Sequence, residues 1–267
     1  MRALDRLTRL LALGAVVASA FLPACGTVPE TGRRQFVLLS AETERTLGAE
    51  AYAEQLKDAP IVTTGPDAER VARVGERIAE ASRRRYPDAV RDFAWEFTLV
   101  DSAEVNAWML PGGKSAVYTG ILRIAETDDE LAVVMGHEAA HAIARHGAER
   151  ISRGMTAAVI LGVASASGEV DPEIVAATAL AYGALGETAF SRSEESEADE
   201  IGLIIAADAG YDPRSAVGFW KKMAALGNGG VPEFLSTHPS GETRAARLAQ
   251  LMPRAMQVYE QSRSRTP

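Results

Sequence analysis

His137, Glu138 and His141 are the residues whose types and spacing best suit metal chemistry. They form the pattern H-E-x-x-H within a segment of helical periodicity. Because positions i and i+4 of a helix project from one face, the two imidazoles can bind the same metal ion. The intervening glutamate then lies beside the metal, where it can act as a general base. The pattern therefore predicts a catalytic zinc site, with one Zn²⁺ per chain.

A catalytic zinc site needs a third protein ligand and an open position for water. The metzincin extension requires a glycine and then a histidine after His141, but those positions hold Ala144 and Gly147. His146 lies nine residues after His137, about 900° around a continuous helix, so it is predicted to face away as a capping or surface residue. The third ligand is therefore expected on another helix.

An acid-rich segment, 191–200, offers candidates for that ligand. Acids in the first turn of a helix usually face water and stabilise the helix start. Glu195 and Asp199 stand at i and i+4, so one can bind zinc while the other accepts a hydrogen bond from a ligand histidine. Spacing alone leaves Glu194 and Glu197 open as well, since each has another acid three residues further on.

The elements that must position these residues are mostly helices. Helices are predicted over 41–58, 67–85, 128–146, 191–209 and 213–226 and from about 241, with Ser40 as an N-cap and Thr127 with Glu130 as a capping box. Segments 93–100, 105–110 and 115–119 are typical of strands, which predicts a small antiparallel sheet just before the zinc helix. Apolar segments 155–165 and 174–186 indicate buried or lid-forming helices, with membrane-dipping segments as the alternative. The fold class is α+β, mainly α.

The N-terminus is typical of a targeting segment. Arg2, Arg6 and Arg9 precede a short apolar run, which predicts a secretory signal peptide over 1–24. The run ends at Cys25, the only cysteine, in a context resembling a bacterial lipobox. We expect Cys25 to be lipidated, although a signal-peptide cysteine without a role is the alternative. Residues 25–39 are then a lipidated tether, 40–255 the catalytic domain and 256–267 a C-terminal tail.

The bulk composition fits a globular enzyme. The 267 residues are 47% hydrophobic and 24% charged, with a formal net charge of −8. There is no basic run and no interleaving of basic and aromatic residues, so nucleic acid is not an expected partner.

A resemblance to a known family rests on several motifs together. The sequence resembles the gluzincin family of the bacterial HtpX and BepA proteases and the eukaryotic prenyl-protein (CAAX) proteases, most closely its periplasmic lipoprotein-type members. The resemblance spans roughly 35–255. The matching residues are Asn106-Ala107, Leu110-Pro111-Gly112-Gly113, Tyr118-Thr119-Gly120, Gly136-His137-Glu138-x-x-His141, Ser191-Arg192-x-x-Glu195-x-x-Ala198-Asp199-x-x-Gly202, His238-Pro239 and Arg244.

The resemblance implies roles for residues that spacing leaves open. It selects Glu195 as the third zinc ligand and makes Asp199 the second acid, a proton donor in the family, although an orienting role suits its chemistry better. It places His238 at the active site, where the imidazole could stabilise an oxyanion or occupy the open zinc position reversibly. Arg244 is expected to be a buried ion-pair partner. The segment from Asn106 to Leu110 is expected to pair with an extended substrate backbone.

The implied function is zinc-dependent endopeptidase activity, with Glu138 as the general base for a zinc-activated water. We expect the substrates to be misfolded or unassembled envelope proteins, in protein quality control. The expected location is the periplasm, with a lipid anchor in the outer rather than the inner membrane and outer-membrane assembly machinery as a further partner. The alternative function is a lipoprotein chaperone or assembly factor with latent or little proteolysis. A purely structural zinc site is disfavoured because Glu138 would then have no role.

Overall fold

The helices carry most of the structure. The computed structural model describes residues 25–167, 190–226, 233–238 and 244–265. Its helices are α1 (Ala41–Leu56), α2 (Pro66–Arg85), α3 (Pro87–Val90), α4 (Thr119–Leu122), α5 (Asp128–Ile143), α6 (His146–Ser167), α7 (Arg192–Asp208), α8 (Ser215–Leu226), α9 (Glu233–Thr237) and α10 (Arg244–Arg263). Together with two small sheets they confirm the predicted α+β, mainly α class.

The main sheet is mixed rather than purely antiparallel. It contains β3 (Ile61–Val62), β4 (Glu96–Val100), β5 (Ala107–Leu110) and β6 (Lys114–Tyr118), in the order β3-β4-β6-β5. The β5–β6 hairpin is antiparallel, with Trp108 opposite Ala116, whereas β4 runs parallel to β6. The chain crosses from one side of β6 to the other between β4 and β5. The sheet therefore has β3 at one edge and β5 at the other, and β5 packs against α5.

Helices α5 and α7 cross at the centre of the fold. Thr127 caps α5 through the predicted capping box with Glu130, and Ser191 caps α7 through an equivalent box with Glu194. The two helices approach closely at a pair of glycines. A Cβ at Gly202 would lie 2.7 Å from the backbone nitrogen of His137, so only glycine permits this spacing. The core around them includes Leu131, Met135, Ile201, Ile204 and Phe219.

The predicted helix over 128–146 is in fact interrupted. Helix α5 ends at Ile143, Arg145 adopts a left-handed conformation with φ 58°, and α6 begins at His146. The Arg145 side chain holds this turn, because its Nε donates to Glu44 and its Nη2 donates to the Leu39 carbonyl. The chain direction after α5 therefore differs from that of a continuous helix.

Regular structure continues beyond both ends of the predicted catalytic domain, whose bounds stay a prediction. Part of the segment expected to be a tether forms a hairpin of β1 (Cys25–Thr27) and β2 (Arg34–Phe36). The expected tail continues α10 to Arg263, because Ala255 and Ser262 are buried and Arg265 donates to Asp208 at 2.6 Å. Cys25 is the first residue of β1, and its lipidation stays a prediction. The signal-peptide segment 1–24 lies outside the described residues.

The predicted helix at 155–165 lies within α6, and residues 174–186 lie outside the described residues. The lid and membrane-dipping roles considered for these segments stay predictions. A search of the described part of the chain finds no helix whose length and apolarity would let it cross a membrane.

Candidate metal centre

The two histidines of the H-E-x-x-H pattern converge on the buried side of α5. The Nε2 atoms of His137 and His141 lie 3.2 Å apart, and both side chains are almost fully buried. Their positions on α5 follow from the i and i+4 spacing, which directs both rings toward α7.

Helix α7 adds Glu195 to this pair. Its Oε2 lies 3.4 Å from His137 Nε2, and its Oε1 lies 3.2 Å from His141 Nε2. The two alternative acids are used elsewhere: Glu194 closes the cap of α7 and pairs with Arg153, whereas Glu197 accepts from Arg33.

His238 brings a fourth ligand-type atom to the cluster. Its Nδ1 lies 3.2 Å from His137 Nε2 and 3.0 Å from Glu195 Oε1. One donor atom each from His137, His141, Glu195 and His238 lies within 4.8 Å of all the others. His238 directly follows α9, whose Phe234 amide donates to the Val105 carbonyl just before β5.

These residues fit a metal ion. Imidazole lone pairs and carboxylate oxygens face one another at about 3 Å, an arrangement that a central cation stabilises. The Oε2 atom of Glu195 is buried without a hydrogen bond, and its ion-pair partner, the Arg244 guanidinium, lies 3.3 Å away. A buried carboxylate oxygen that makes no hydrogen bond can bind a metal ion directly. Two or three imidazoles with one carboxylate form a donor set typical of zinc and of other borderline transition metals.

The pKa shifts at the centre favour the ligand forms of two residues. Burial lowers the pKa of His141 well below its usual value, which keeps the imidazole neutral. Burial acts to raise the pKa of Glu195, but His137 and its other histidine neighbours lower it far more, so the carboxyl is ionised. The pKa of His137 is raised, because Glu195 and Asp199 outweigh the opposing effect of burial.

Glu138 lies beside the cluster. Burial raises the pKa of its carboxyl to about 7, against the lowering effects of the nearby His238 and of a hydrogen bond from the Met109 backbone. His238 Nε2 is 3.5 Å from Glu138 Oε1. The Glu138 carboxylate therefore lies between the ligand cluster and the β5 edge.

Asp199 and Arg244 lie behind His137. Asp199 Oδ1 is 3.1 Å from His137 Nδ1, the nitrogen on the side of the ring away from the cluster. Arg244 donates to the same Asp199 oxygen at 2.6 Å and stacks on the Trp220 ring at 3.2 Å. Its second amino group lies 3.3 Å from Glu195 Oε2. These contacts suit an orienting role for Asp199 and an ion-pair role for Arg244.

Asn106 lies outside the cluster. Its side-chain amide donates to Glu104 at 2.8 Å, and its carbonyl accepts from the Tyr118 amide. The structure thus places Asn106 at the start of the β5 edge, not among the candidate ligands.

His146 corrects the prediction of a surface or capping residue. It is completely buried, and its Nδ1 lies 2.9 Å from His141 Nδ1. The prediction assumes a continuous helix, whereas the left-handed Arg145 turns the chain so that the His146 ring points back to His141. Spacing along the sequence gives no signal of this turn. Sequence reasoning also misses Trp220, whose ring centre lies 5.4 Å from that of His137.

Comparison with known proteins bears on what this centre does. The family described as "Peptidase family M48" matches residues 66–252, well over half of the chain. The chain belongs to peptidase family M48. The match includes α5, α7 and the first part of α10, and it includes every candidate ligand. This family match confirms the resemblance to the gluzincins. The protein is therefore a metalloendopeptidase.

The similar proteins include organellar and bacterial peptidases. Mitochondrial metalloendopeptidase OMA1 of Schizosaccharomyces pombe is 35% identical over 240 residues, 88% of this chain and 68% of that protein. The protein of the same name from Arabidopsis thaliana is 41% identical over 170 residues, 63% of this chain and 34% of that protein. The beta-barrel assembly-enhancing protease of Escherichia coli is 28% identical over 260 residues, 91% of this chain and 52% of that protein. This chain therefore spans from about a third to about two thirds of these relatives.

The predicted periplasmic, lipid-anchored localisation is wrong by this comparison. The relatives with the higher identities bear mitochondrial names, and the Escherichia coli protein is only 28% identical. A short leader rich in arginine occurs in secretory signals and in mitochondrial transit peptides alike, so it does not decide between the two compartments.

Proposed function

We propose that this chain is a zinc endopeptidase in which His137, His141 and Glu195 hold the metal and Glu138 is the general base. The observation that carries this proposal is the convergence of three ligand-type side chains from two helices, with a buried carboxylate beside them. Bound zinc supplies a Lewis acid that acidifies water and polarises a peptide carbonyl.

The residues of the chain supply the remaining chemistry. Glu138 accepts a proton from the attacking water and delivers it to the leaving amine. Its pKa of about 7 suits both steps near neutral pH, because a base that is too weak would not accept the proton and one that is too strong would not release it. Asp199 accepts a hydrogen bond from His137 Nδ1 and so keeps the Nε2 lone pair directed into the cluster.

We propose extended, unfolded polypeptide as the substrate. The edge strand β5 lies next to Glu138 and packs against α5, so a peptide that adds to this edge passes the metal centre. Recognition through backbone hydrogen bonds is tolerant of side-chain identity. Such tolerance suits the removal of misfolded or unassembled proteins, which supports a quality-control role.

A second candidate function is a client-binding protein with latent proteolysis. The observation that favours it is the position of His238, whose Nδ1 is as close to the candidate ligands as they are to one another. In that arrangement His238 occupies the position that water needs.

Replacement of Glu138 by glutamine tests the proposed function. Glu138→Gln keeps the shape of the side chain but removes its basicity, so we expect unchanged zinc content and casein cleavage reduced by about 10²- to 10⁴-fold. Metal content is measured by elemental analysis and cleavage by peptide release. Glu54→Gln, at an exposed position of α1, is the matched control. Casein cleavage close to that of the wild type in Glu138→Gln contradicts the mechanism.

A further inference from the structure

A chain of buried and partly buried hydrogen bonds leads from the metal centre to the N-terminal hairpin, residues 25–36. His141 Nδ1 is 2.9 Å from His146 Nδ1, and His146 Nε2 is 3.0 Å from Glu197 Oε2. Glu197 Oε2 also accepts from Arg33 Nε at 2.8 Å, and the Thr31 hydroxyl donates to the other oxygen. None of these residues beyond His141 belongs to the candidate ligand set.

The positions of the acceptors allow one direction of donation through this chain. Glu197 receives hydrogen bonds from Arg33 and Thr31, which fits an ionised carboxylate. Since a carboxylate only accepts, the nitrogen that faces it, His146 Nε2, must carry the proton.

The same logic fixes the proton on His141. A neutral His146 protonated at Nε2 has a lone pair at Nδ1, so His141 Nδ1 must donate to it. His141 Nε2 is then unprotonated, and this is the atom that faces Glu195 and His137. The opposite direction would place two acceptors, His146 Nε2 and Glu197, 3.0 Å apart, and would put the His141 proton where the metal has to bind.

Each histidine of the H-E-x-x-H pair thus has a support of its own. On His137 it is direct, through Asp199 and Arg244. On His141 it is indirect, because the imidazole of His146 stands between the ligand and the carboxylate. Arg33 holds that carboxylate and also binds Glu149 through two hydrogen bonds, of 3.1 and 2.8 Å.

We propose that His146 and Glu197 are positioning residues that keep His141 in the tautomer able to bind the metal, and that the N-terminal hairpin completes this support through Arg33. The inference rests on the proposed function, because it assigns support to a ligand of the proposed zinc ion. The hairpin then supports the metal centre indirectly: Arg33 contacts Glu197, and Glu197 contacts His146.

Zinc affinity of three variants tests the proposal. His146→Phe keeps a planar ring but removes both nitrogens, and Glu197→Gln removes the charge that sets the direction of donation. We expect both to weaken zinc binding by about 10- to 100-fold, the usual effect of losing a group that orients a metal ligand. Asp208→Asn is the matched control, because it removes a buried charge that pairs with Arg84 and Arg265 rather than with His146 or Arg33. The zinc affinity of this control should stay within about 3-fold of the wild type. That is a much smaller change than the one expected for His146→Phe and Glu197→Gln.

The measurement is a competition titration of purified full chain with a zinc chelator, after circular dichroism has shown that each metal-free variant is folded. Wild-type affinity in His146→Phe and Glu197→Gln overturns the proposal, as does an equal loss in Asp208→Asn. A wild-type protein that binds no zinc in the same titration overturns the proposed function as well. If the wild type binds zinc and cleaves casein, and His146→Phe and Glu197→Gln bind zinc as tightly as the wild type, the inference is overturned and the proposed function is not.

A spectroscopic test needs no variant. The chain has four histidines, so ¹⁵N–¹H correlations of the imidazoles in the zinc-loaded wild type can be assigned individually. We expect His141 to be protonated at Nδ1 and His146 at Nε2. A His146 ring protonated at Nδ1 contradicts the proposed direction of donation, whatever the variants do.

Discussion

At the scale of single residues, His238 has contacts that suit two roles. Its Nδ1 points into the ligand cluster, whereas its Nε2 lies 3.5 Å from Glu138. An oxyanion-stabilising group must donate toward the substrate and leave the water position free. The described contacts place the Nδ1 atom where a fourth ligand would be, so the geometry favours the blocking role.

Replacement of His238 separates these roles. If the imidazole occupies the fourth position, His238→Ala should increase casein cleavage, by a factor equal to the inverse of the fraction of wild-type molecules with that position free. The measurement is the initial rate of peptide release at equal zinc occupancy. The double variant with Glu138→Gln should stay inactive, which shows that any gain comes from the same centre. A fall of about 10²- to 10³-fold would instead assign His238 to the oxyanion.

The residues of the site differ in how far the sequence predicts them. His137, Glu138 and His141 need only one unbroken helix, so their spacing is sufficient. Glu195 cannot be told from its acidic neighbours by spacing, since helix α7 turns several acids inward at once: Glu194, Glu195 and Glu197 are all buried. The position of His146 depends on a left-handed backbone at Arg145, a conformation that arginine rarely adopts and that no local pattern indicates.

At the scale of elements, the closeness of α5 and α7 sets the geometry of the centre. The two helices touch at Gly136 and Gly202, one residue before His137 and three residues after Asp199. Their backbones can approach because neither position carries a side chain. This contact brings Glu195 within reach of both histidines.

An alanine at Gly202 tests this dependence. The added methyl group would lie 2.7 Å from His137 N, so the helices must separate, at a cost of about 1–3 kcal/mol in unfolding free energy. We expect a lower melting temperature and weaker zinc binding in Gly202→Ala. Gly218→Ala in α8 is the control. A methyl group there meets no neighbouring atom within 4 Å, so it should stabilise the helix by about 0.5–1 kcal/mol. Equal behaviour of the two variants contradicts the argument.

Caps and periodicity predict the elements well where these signals are local. Ser40 and Thr127 cap α1 and α5 as expected. The parallel pairing of β4 with β6 is harder to predict from the sequence, because it depends on how the chain crosses over and not on the residues of either strand. The N-terminal hairpin is missed for a similar reason. Its strands have three residues each, and the turn between them is held by Arg33, whose ion-pair partners lie more than a hundred residues away.

At the scale of the whole molecule, the metal centre joins parts of the chain that are distant in sequence. His137 and His141 come from α5, Glu195 from α7, and His238 from the residue after α9. Without a metal, the facing imidazole lone pairs and the buried Glu195 oxygen that makes no hydrogen bond oppose this assembly. With a metal, the same groups stabilise it, so metal binding and folding are linked.

Removal of the metal should therefore lower the stability of the full chain. Free zinc at a hundred times its dissociation constant adds about 2.7 kcal/mol to the unfolding free energy. For a domain of this size that amounts to a rise in melting temperature of about 5–10 °C over the chelated protein.

The measurement is thermal unfolding at pH 7 in zinc and in chelator at matched ionic strength. Glu195→Ala is the control, because it removes one ligand while leaving both histidines in place, and its melting temperature should respond little to zinc. A wild-type protein that melts at the same temperature with zinc and with chelator would show that the cluster holds no ion. A Glu195→Ala protein that responds as strongly as the wild type would show that the ion binds without α7, so that α5 and α7 are held together by packing alone.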